Sequence, residues 1–160
     1  MTVREVYNEK NKGFTLIELL VVIGILAILL AITLIAINPA RQFGQANDTK
    51  RRSDITQVLN AVGQYTASNG GILPTEITAL TAGAAATAVN NTNFPNLCGQ
   101  LVPNYVPALP MDPSLPNSQA GISTCTGTWG DTGYSIARDA NNRITVTAPS
   151  AYSGPIQVTR

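Results

Sequence analysis

The longest pattern in the chain is an almost uninterrupted apolar run near its start. From Leu19 to Ile37 every residue is apolar except Gly24 and Thr33. A helix of about 20 such residues, rising about 1.5 Å per residue, crosses the ~30 Å hydrocarbon core of a bilayer. A buried helix of a soluble domain is rarely so uniform. The run therefore predicts a membrane-spanning helix.

Basic residues precede this run. Arg4, Lys10 and Lys12 lie upstream, which predicts that the start of the chain stays in the cytoplasm and that the remainder faces outward. A secretory signal peptide is the alternative, with Ala36 and Ala40 as a loose imitation of its cleavage site. Its apolar core would be only about 7 to 15 residues long, so a lasting anchor is the better interpretation.

Glu18 is the anomaly of the apolar segment. A carboxylate in a spanning helix costs on the order of 2.5 to 3.5 kcal/mol, so it should have a partner or a task. No charged side chain nearby can pair with it. A cut just before Phe14 would create an α-amino group four residues upstream on the same helical face, and this cation would be a partner for Glu18.

The segment Gly13-Phe14-Thr15-Leu16-Ile17-Glu18-Leu19, with its basic leader and apolar run, closely resembles the processing motif of type IV pilins and type II secretion pseudopilins. The resemblance covers about residues 10–38. It implies that a prepilin peptidase cleaves between Gly13 and Phe14 on the cytoplasmic side and methylates the amine of Phe14. It also implies that Glu18 pairs with the Phe14 amine of a neighbouring subunit during assembly.

A second helix is predicted after a joint at Pro39. Pro39 cannot donate to the carbonyl of Ile35, so we expect a kink or an unwound stretch over residues 37–44, as the resemblance also implies. The helix should end at Asn69-Gly70-Gly71. Its apolar face is predicted from Phe43, Ala46, Ile55, Val58, Leu59, Val62 and Tyr65. The opposite face is predicted from Asp48, Lys50, Arg51, Arg52, Asp54 and Gln57, with Asp48 and Arg52 as an i,i+4 pair.

The basic triplet Lys50-Arg51-Arg52 raises the question of nucleic-acid binding. Asp48 and Asp54 flank it, and no aromatic residue nearby offers a stacking surface. A solvated or intersubunit face is therefore the better interpretation, and direct DNA contact is the alternative.

Residues 70–160 should form a small head. Residues 77–89, rich in Ala and Thr, predict a short helix or an ordered loop, and the five prolines of residues 101–116 predict an extended connection. Residues 133–138 and 143–147 predict a β-hairpin, to which 157–159 can add a strand. So short a sheet needs another surface to cover its apolar face, so we expect it to pack on the second helix.

The predicted fold class is α+β, with a long N-terminal helix and a small antiparallel sheet in the ladle-like arrangement of pilins. Four segments follow: a basic leader at 1–13, a transmembrane and filament-core helix at 14–38, an amphipathic continuation at 39–69, and the head at 70–160.

Cys98 and Cys125 are the only cysteines, and both lie on the oxidising side of the predicted membrane helix. A disulfide is expected, and the resemblance implies the same, because the family often ties its C-terminal region in this way. A reactive thiol or a metal site is the alternative. The chain has no histidine, so two cysteines alone make a poor metal site.

Nothing in the sequence indicates an enzyme. The net charge is only +1, histidine is absent, and the acids of the head are scattered singly with no nucleophile or phosphate-binding motif beside them. No cofactor is expected, although Asp131 and the turn Asp139–Asn142 have oxygen ligands that suit calcium. Trp129 and Tyr134 could form an adhesive surface, but core packing is the more usual role of such residues.

Three functions fit these patterns. The first is a pilin of a type IV pilus, anchored in the inner membrane and then assembled with copies of itself into an extracellular filament, for adhesion, motility or DNA uptake. Its partners would be the prepilin peptidase, a membrane platform and an assembly ATPase. The second is a pseudopilin of a periplasmic filament, which the poor calcium signature and the expected disulfide make less favourable. The third is a single-pass anchored binding module that never polymerises.

Overall fold

A computed structural model of the protein describes residues 13–160. The leader residues Arg4, Lys10 and Lys12 lie outside the described residues. The described chain divides into two compact units, residues 13–39 and Ala40–Arg160. The first unit is helical and the second combines helices with one sheet, which confirms the α+β class.

The first unit consists of helix α1, Leu16–Ala36. It has 21 residues and none of its side chains is buried. Within residues 13–160 it is the one helix that is long and apolar enough to cross a membrane. The sequence pattern predicted this helix.

The helix is interrupted at Ile37 and Asn38, and helix α2 then runs over Pro39–Ser68. Pro39 is the first residue of α2, a position at which its missing N–H removes no hydrogen bond. The interruption is shorter than the predicted stretch of residues 37–44, because residues 39–44 are already helical. At its other end α2 stops as predicted: Gly70 and Gly71 adopt φ of 65° and 89°, and the Gly71 N–H donates to the Thr66 carbonyl at 2.8 Å.

The head contains a four-stranded antiparallel sheet in the order β1-β2-β3-β4. The strands are β1 Thr87–Asn90, β2 Asp131–Arg138, β3 Ile144–Ala148 and β4 Ile156–Thr159. The predicted hairpin is β2 and β3, with Ile136 opposite Val146, and the predicted terminal strand is β4. The prediction missed β1, which lies in the Ala- and Thr-rich stretch and is too short to show an alternating pattern.

One core joins α2 to the sheet. Helix α2 contributes Ile55, Val58, Leu59, Ala61 and Val62, and the sheet contributes Val89, Tyr134, Ile136, Ile144, Val146, Ala148 and Ile156. The rest of the core comes from the segment that connects β1 to β2, chiefly Phe94, Leu97, Leu101, Val106 and Leu109. As predicted, the sheet covers its apolar face with the second helix. Phe43 and Ala46 are exposed, however, so their assignment to the apolar face was wrong.

Two short helices complete the head, one before β1 and one in the connection from β1 to β2. Residues 77–89 were predicted as a short helix or an ordered loop; they contain the last two residues of helix α3, Thr75–Thr78, then turns, and they end in strand β1. Helix α4, Leu97–Leu101, was not predicted. The proline-rich stretch after α4 has no further helix or strand apart from an isolated bridge between Leu109 and Ile122.

A disulfide between Cys98 of α4 and Cys125 closes this connection on itself. Cys98 is fully buried, and the two Cα atoms lie 5.3 Å apart, within the range that a disulfide requires. Both sulfurs are therefore occupied, and neither cysteine is free to act as a reactive thiol or a metal ligand.

Removal of this disulfide by Cys98→Ala and Cys125→Ala together should lower the unfolding free energy by about 3 to 4 kcal/mol, the chain-entropy value for a loop of this size. The loop spans 27 residues. Urea unfolding of the full-length chain in a mild detergent, followed by the emission of the buried Trp129, measures the loss. The wild type treated with reductant is the control and should lose a similar amount; an unchanged midpoint in both would contradict the prediction.

Candidate processing and assembly site

The residues before α1 lie outside regular structure and are open to solvent. Gly13, Phe14 and Thr15 have no helical or strand structure, and the Phe14 side chain is 84% exposed. No atom lies within 4 Å of a Cβ placed on Gly13. A backbone without regular structure or nearby atoms is open to a protease, as the predicted cleavage between Gly13 and Phe14 would require.

Thr15 and Glu18 begin the helix by bonding to each other. The Glu18 N–H donates to the Thr15 hydroxyl at 3.3 Å, and Oε2 of Glu18 accepts from the Thr15 N–H at 2.8 Å and from its hydroxyl at 2.7 Å. This reciprocal arrangement is a capping box, which satisfies donors that a helix N-terminus otherwise leaves unpaired. The Glu18 carboxylate is thereby held at the N-terminal end of α1, against Thr15, the residue that follows Phe14.

Thr15 is a hydrogen-bonded partner of Glu18 that was not predicted. The Thr-x-x-Glu spacing of Thr15 and Glu18 is the sequence signal of a capping box and could have indicated it. The cap does not neutralise the carboxylate, so the charge of Glu18 still requires a cation wherever water is excluded.

A family model described as the prokaryotic N-terminal methylation motif matches residues 9–34. The match includes Gly13 and Phe14, the cap, Glu18 and most of α1. It decides how the start of the chain is to be interpreted.

The chain carries a prepilin-type signal.

This signal is shared by type IV pilins and pseudopilins, and it indicates processing by a prepilin peptidase and assembly into filaments. Together with α1 it fits a precursor anchored in the inner membrane. No curated protein and no solved structure matches the chain significantly. The head of this prepilin-type chain therefore has to be understood from its own structure.

In the head, three charges of α2 face inward, contrary to the prediction. Asp48, Arg51 and Asp54 are 4 to 6% exposed, although all three were assigned to the solvent face. They are spaced three residues apart, so they continue the stripe of Ile55 and Val58 toward the start of α2. The buried stripe of this helix is polar in its first half and apolar in its second.

Arg51 is the centre of a buried ion cluster, which we define as Asp48, Arg51 and Asp112. Its guanidinium holds Asp112 with two parallel bonds, Nε to Oδ2 at 2.7 Å and Nη2 to Oδ1 at 2.9 Å. Nη1 donates to Asp48 at 3.0 Å and Nη2 donates to Ser114 at 3.1 Å. Such bidentate bonding to a carboxylate is specific to arginine. The cluster fastens α2 to the proline-rich connection, 61 residues away.

Asp48 fastens a second distant segment, the turn at residues 151–154. It accepts from the Tyr152 N–H at 2.8 Å, from the Ser153 N–H at 2.9 Å and from the Ser153 hydroxyl at 2.7 Å. Burial acts to raise the pKa of Asp48, but these bonds and the bond from Arg51 outweigh it, and the net pKa lies well below its ordinary value. The pKa of Asp112 also lies below its ordinary value. Burial acts to raise this pKa, but the bonds from Arg51 and Ser114 outweigh the effect of burial.

Asp54 ties the middle of α2 to the sheet. It accepts from the Tyr134 hydroxyl of β2 at 2.8 Å and from the Lys50 ammonium at 3.0 Å. Burial, and after it the bond to Asp54, raises the pKa of Tyr134 well above its ordinary value.

Tyr134 is 1% exposed and Trp129 is 3% exposed, so both pack in the core and the adhesive-surface alternative was wrong.

The basic triplet does not form an exposed patch. Arg51 is buried in the ion cluster and Lys50 is paired with Asp54, which leaves Arg52 as the exposed member without an acidic partner in residues 13–160. The predicted i,i+4 pair of Asp48 and Arg52 was wrong, since Asp48 pairs with Arg51. One exposed base without an acidic partner gives little attraction to a nucleic-acid backbone, so this helix face offers no support for DNA contact.

The oxygen-rich turns proposed for calcium bond within themselves. Asp131 accepts from the Gly133 N–H at 2.9 Å. Asp139 accepts from the N–H groups of Asn141 and Arg143, both at 2.8 Å, and from the Arg143 guanidinium at 2.6 Å. Within residues 13–160 no three Cys, Asp or Glu side chains gather as a metal site would require. Turn hydrogen bonding accounts for these residues.

Acid should destabilise the head through the ion cluster. The folded pKa values of Asp48 and Asp112 are lowered, so near and below the ordinary Asp value of about 3.9 the unfolded chain binds protons that the folded chain does not. Their stabilisation is thus complete at neutral pH and is lost as the pH falls from about 4 toward their folded values. Urea unfolding at successive pH values should show this decline. An Asp48→Asn variant should have a lower unfolding free energy than the wild type at pH 7, and this free energy should decline less steeply as the pH falls. Equal slopes for the two proteins would contradict this account.

Proposed function

We propose that this chain is the pilin of a type IV pilus, a structural subunit and not an enzyme. The observation that carries the proposal is the prepilin-type signal, which includes most of a 21-residue apolar helix with no buried side chain. An apolar surface of this size is stable only in a bilayer or against other protein. The precursor provides the first environment and the filament core provides the second.

Processing would give the start of the chain the charged groups that assembly requires. Cleavage after Gly13 releases an α-amino group on Phe14, and methylation leaves it basic. Glu18 already lies at this end of the helix through its bonds to Thr15. In the filament, Glu18 would pair with the Phe14 amine of a neighbouring subunit, so that neither charge remains unpaired in a region without water. The same pairing requirement would select the correct axial position of each incoming subunit.

The disulfide favours a pilin over the pseudopilin alternative, though it also forms in the periplasm. A subunit displayed outside the cell works in an oxidising medium without repair, and the bond between Cys98 and Cys125 strengthens a head of modest size. The filament would be extended by a membrane platform and an assembly ATPase, and it would serve adhesion, motility or DNA uptake. The ion cluster would keep the head attached to α2 during extraction from the membrane.

Intact mass spectrometry of subunits sheared from the surface of the native cells tests the proposal. We expect a species that begins at Phe14, carries one added methyl group and is two hydrogens lighter than the reduced chain. The same species confined to the membrane fraction would favour a pseudopilin. A full-length chain that begins at Met1 would refute processing and would leave the anchored binding module.

A further inference from the structure

Two large aromatic side chains, one near the start of α2 and one on the turn that packs on this part of α2, lie exposed. Phe43 is 71% exposed and Tyr152 is 59% exposed. The Tyr152 ring covers Gly44, the residue after Phe43, so closely that a Cβ at Gly44 would lie 2.6 Å from the ring. We call Phe43 and Tyr152 the aromatic patch. One member comes from α2 and the other comes from the turn at residues 151–154.

The position of Tyr152 is fixed by the structure. Three hydrogen bonds from Tyr152 and Ser153 to Asp48 hold the turn against α2 one helical turn beyond Gly44. Asp48 is itself held by Arg51. Core packing does not explain this arrangement, because the ring that it places on α2 stays mostly in solvent. Exposed aromatic side chains on a rigid support are typical of a contact surface.

The sequence position of the patch restricts what can cover it. Phe43 is seven residues beyond Ala36, the last residue of α1. Even a fully extended chain of this length reaches at most about 25 Å, and the helical part from Pro39 onward shortens that reach. When α1 spans a bilayer, the patch is therefore tethered close to the headgroup layer, whose thickness is about 5 to 8 Å on each side. Tyrosine and tryptophan are enriched at that depth.

We propose that the aromatic patch docks on the headgroup layer of the outward membrane face while the chain is an anchored precursor. The tether keeps the lipid surface within reach of every subunit, whereas a second copy must first be encountered. The phenol of Tyr152 suits this layer, because its ring is apolar and its hydroxyl can stay hydrated. Docking would hold the head on the membrane until the subunit is extracted. This inference requires the anchoring by α1 but not polymerisation.

Lipid quenching of tryptophan in the full-length precursor tests the inference. The chain is placed at low density in vesicles of zwitterionic phosphatidylcholine brominated on the acyl carbons nearest the headgroup. Tyr152→Trp adds a reporter to the patch, and the wild type gives the background from Trp129, which is buried. Ile72→Trp is the matched control, since Ile72 is 65% exposed but follows the far end of α2, a helix of 30 residues and therefore about 45 Å long.

We expect the brominated lipid to remove most of the emission added by Tyr152→Trp and little of that added by Ile72→Trp. Phe43→Ser in the Tyr152→Trp chain should weaken the quenching by lipid. Because Phe43 is exposed, it should do so without shifting the urea midpoint. Loss of quenching together with a large shift of the midpoint would show a structural role for Phe43 and would overturn its place in the patch.

Three other results would overturn the inference. Quenching of the position-152 reporter by aqueous acrylamide but not by lipid would show that the patch faces water. Protection from both quenchers would show that protein covers it, as in contact with a second copy. Equal lipid quenching at positions 152 and 72 would show a contact that is not local to the patch. Flotation of the wild type with the vesicles checks the anchor separately, and its failure would refute the anchoring role of α1 as well.

Discussion

Arg51→Met should cost the head about 3 to 5 kcal/mol of unfolding free energy, the range measured when one partner of a buried ion pair is removed. Methionine fills much of the same space, so the loss comes mainly from Asp112, which would stay buried without the two bonds that Arg51 donates. Asp48 loses less, because Tyr152 and Ser153 still donate to it. Urea unfolding of the full-length chain in detergent, followed by Trp129 emission, measures the effect.

Arg52→Met is the matched control for this variant. Arg52 is the next residue, carries the same charge and is exposed, so its replacement should change the stability by no more than about 0.5 kcal/mol. A second control replaces Asp112 as well: the pair Arg51→Met and Asp112→Leu should be more stable than Arg51→Met alone, because no carboxylate is then left unpaired at that position. Equal midpoints for Arg51→Met and Arg52→Met would contradict the buried cluster.

Glu18→Gln should reduce the yield of surface filaments at least about tenfold, which requires a loss of only ~1.4 kcal/mol per assembly step. Glutamine keeps an oxygen that can accept from the Thr15 N–H, so the capping box survives, but the negative charge is gone. The Phe14 amine of the neighbouring subunit would then enter the filament core unpaired. Immunoblots of sheared surface material against the membrane fraction measure the yield.

Glu18→Ala removes both the charge and the cap, so comparison of the two variants separates the two roles. If ion pairing governs assembly, both variants lose filaments to a similar extent. A Glu18→Gln subunit that assembles as well as the wild type would show that the cap with Thr15 is what assembly needs. Mass spectrometry of the membrane-bound subunit is the processing control, and both variants should still begin at Phe14.

The sequence was sufficient to predict an element or a motif where its pattern is long or chemically distinctive. Helix α1 follows from length and apolarity alone, and the prepilin-type signal follows from the combination of Gly13, Phe14 and Glu18. The β2–β3 hairpin was predictable because β-favouring residues flank a turn rich in Asp and Asn. The end of α2 was predictable because glycine readily adopts the positive φ that terminates a helix, whereas other residues rarely do. Gly70 and Gly71 both have positive φ.

The buried charges of α2 were not predicted because polarity was taken as a sign of exposure. A charge of α2 is stable inside the head only if a partner arrives from elsewhere, and the partner of Arg51 is an aspartate in the proline-rich connection. Nothing local to Asp112 indicates this role. The spacing did carry a signal, since Asp48, Arg51 and Asp54 continue the period of the apolar stripe. Helical phase was the better guide here than residue type.

Strand β1 and helix α4 show the limit of predictions from local patterns. Strand β1 has four residues and helix α4 has five, so neither repeats its period often enough to be recognised. Each is stabilised by distant neighbours: β1 pairs with β2, and Cys98 of α4 is joined to Cys125. Elements that depend on contacts with distant residues cannot be predicted from their own sequence.

The disulfide also limits how far the head can lengthen under mechanical tension. In a filament under load, force would enter each subunit through its helices and could pull the head open. An intact bond between Cys98 and Cys125 keeps the 27-residue loop out of the stretched path. At about 3.5 Å per residue this withholds ~90 Å of contour length from each opened head. A subunit that partly unfolds would therefore stretch less before its neighbours share the load.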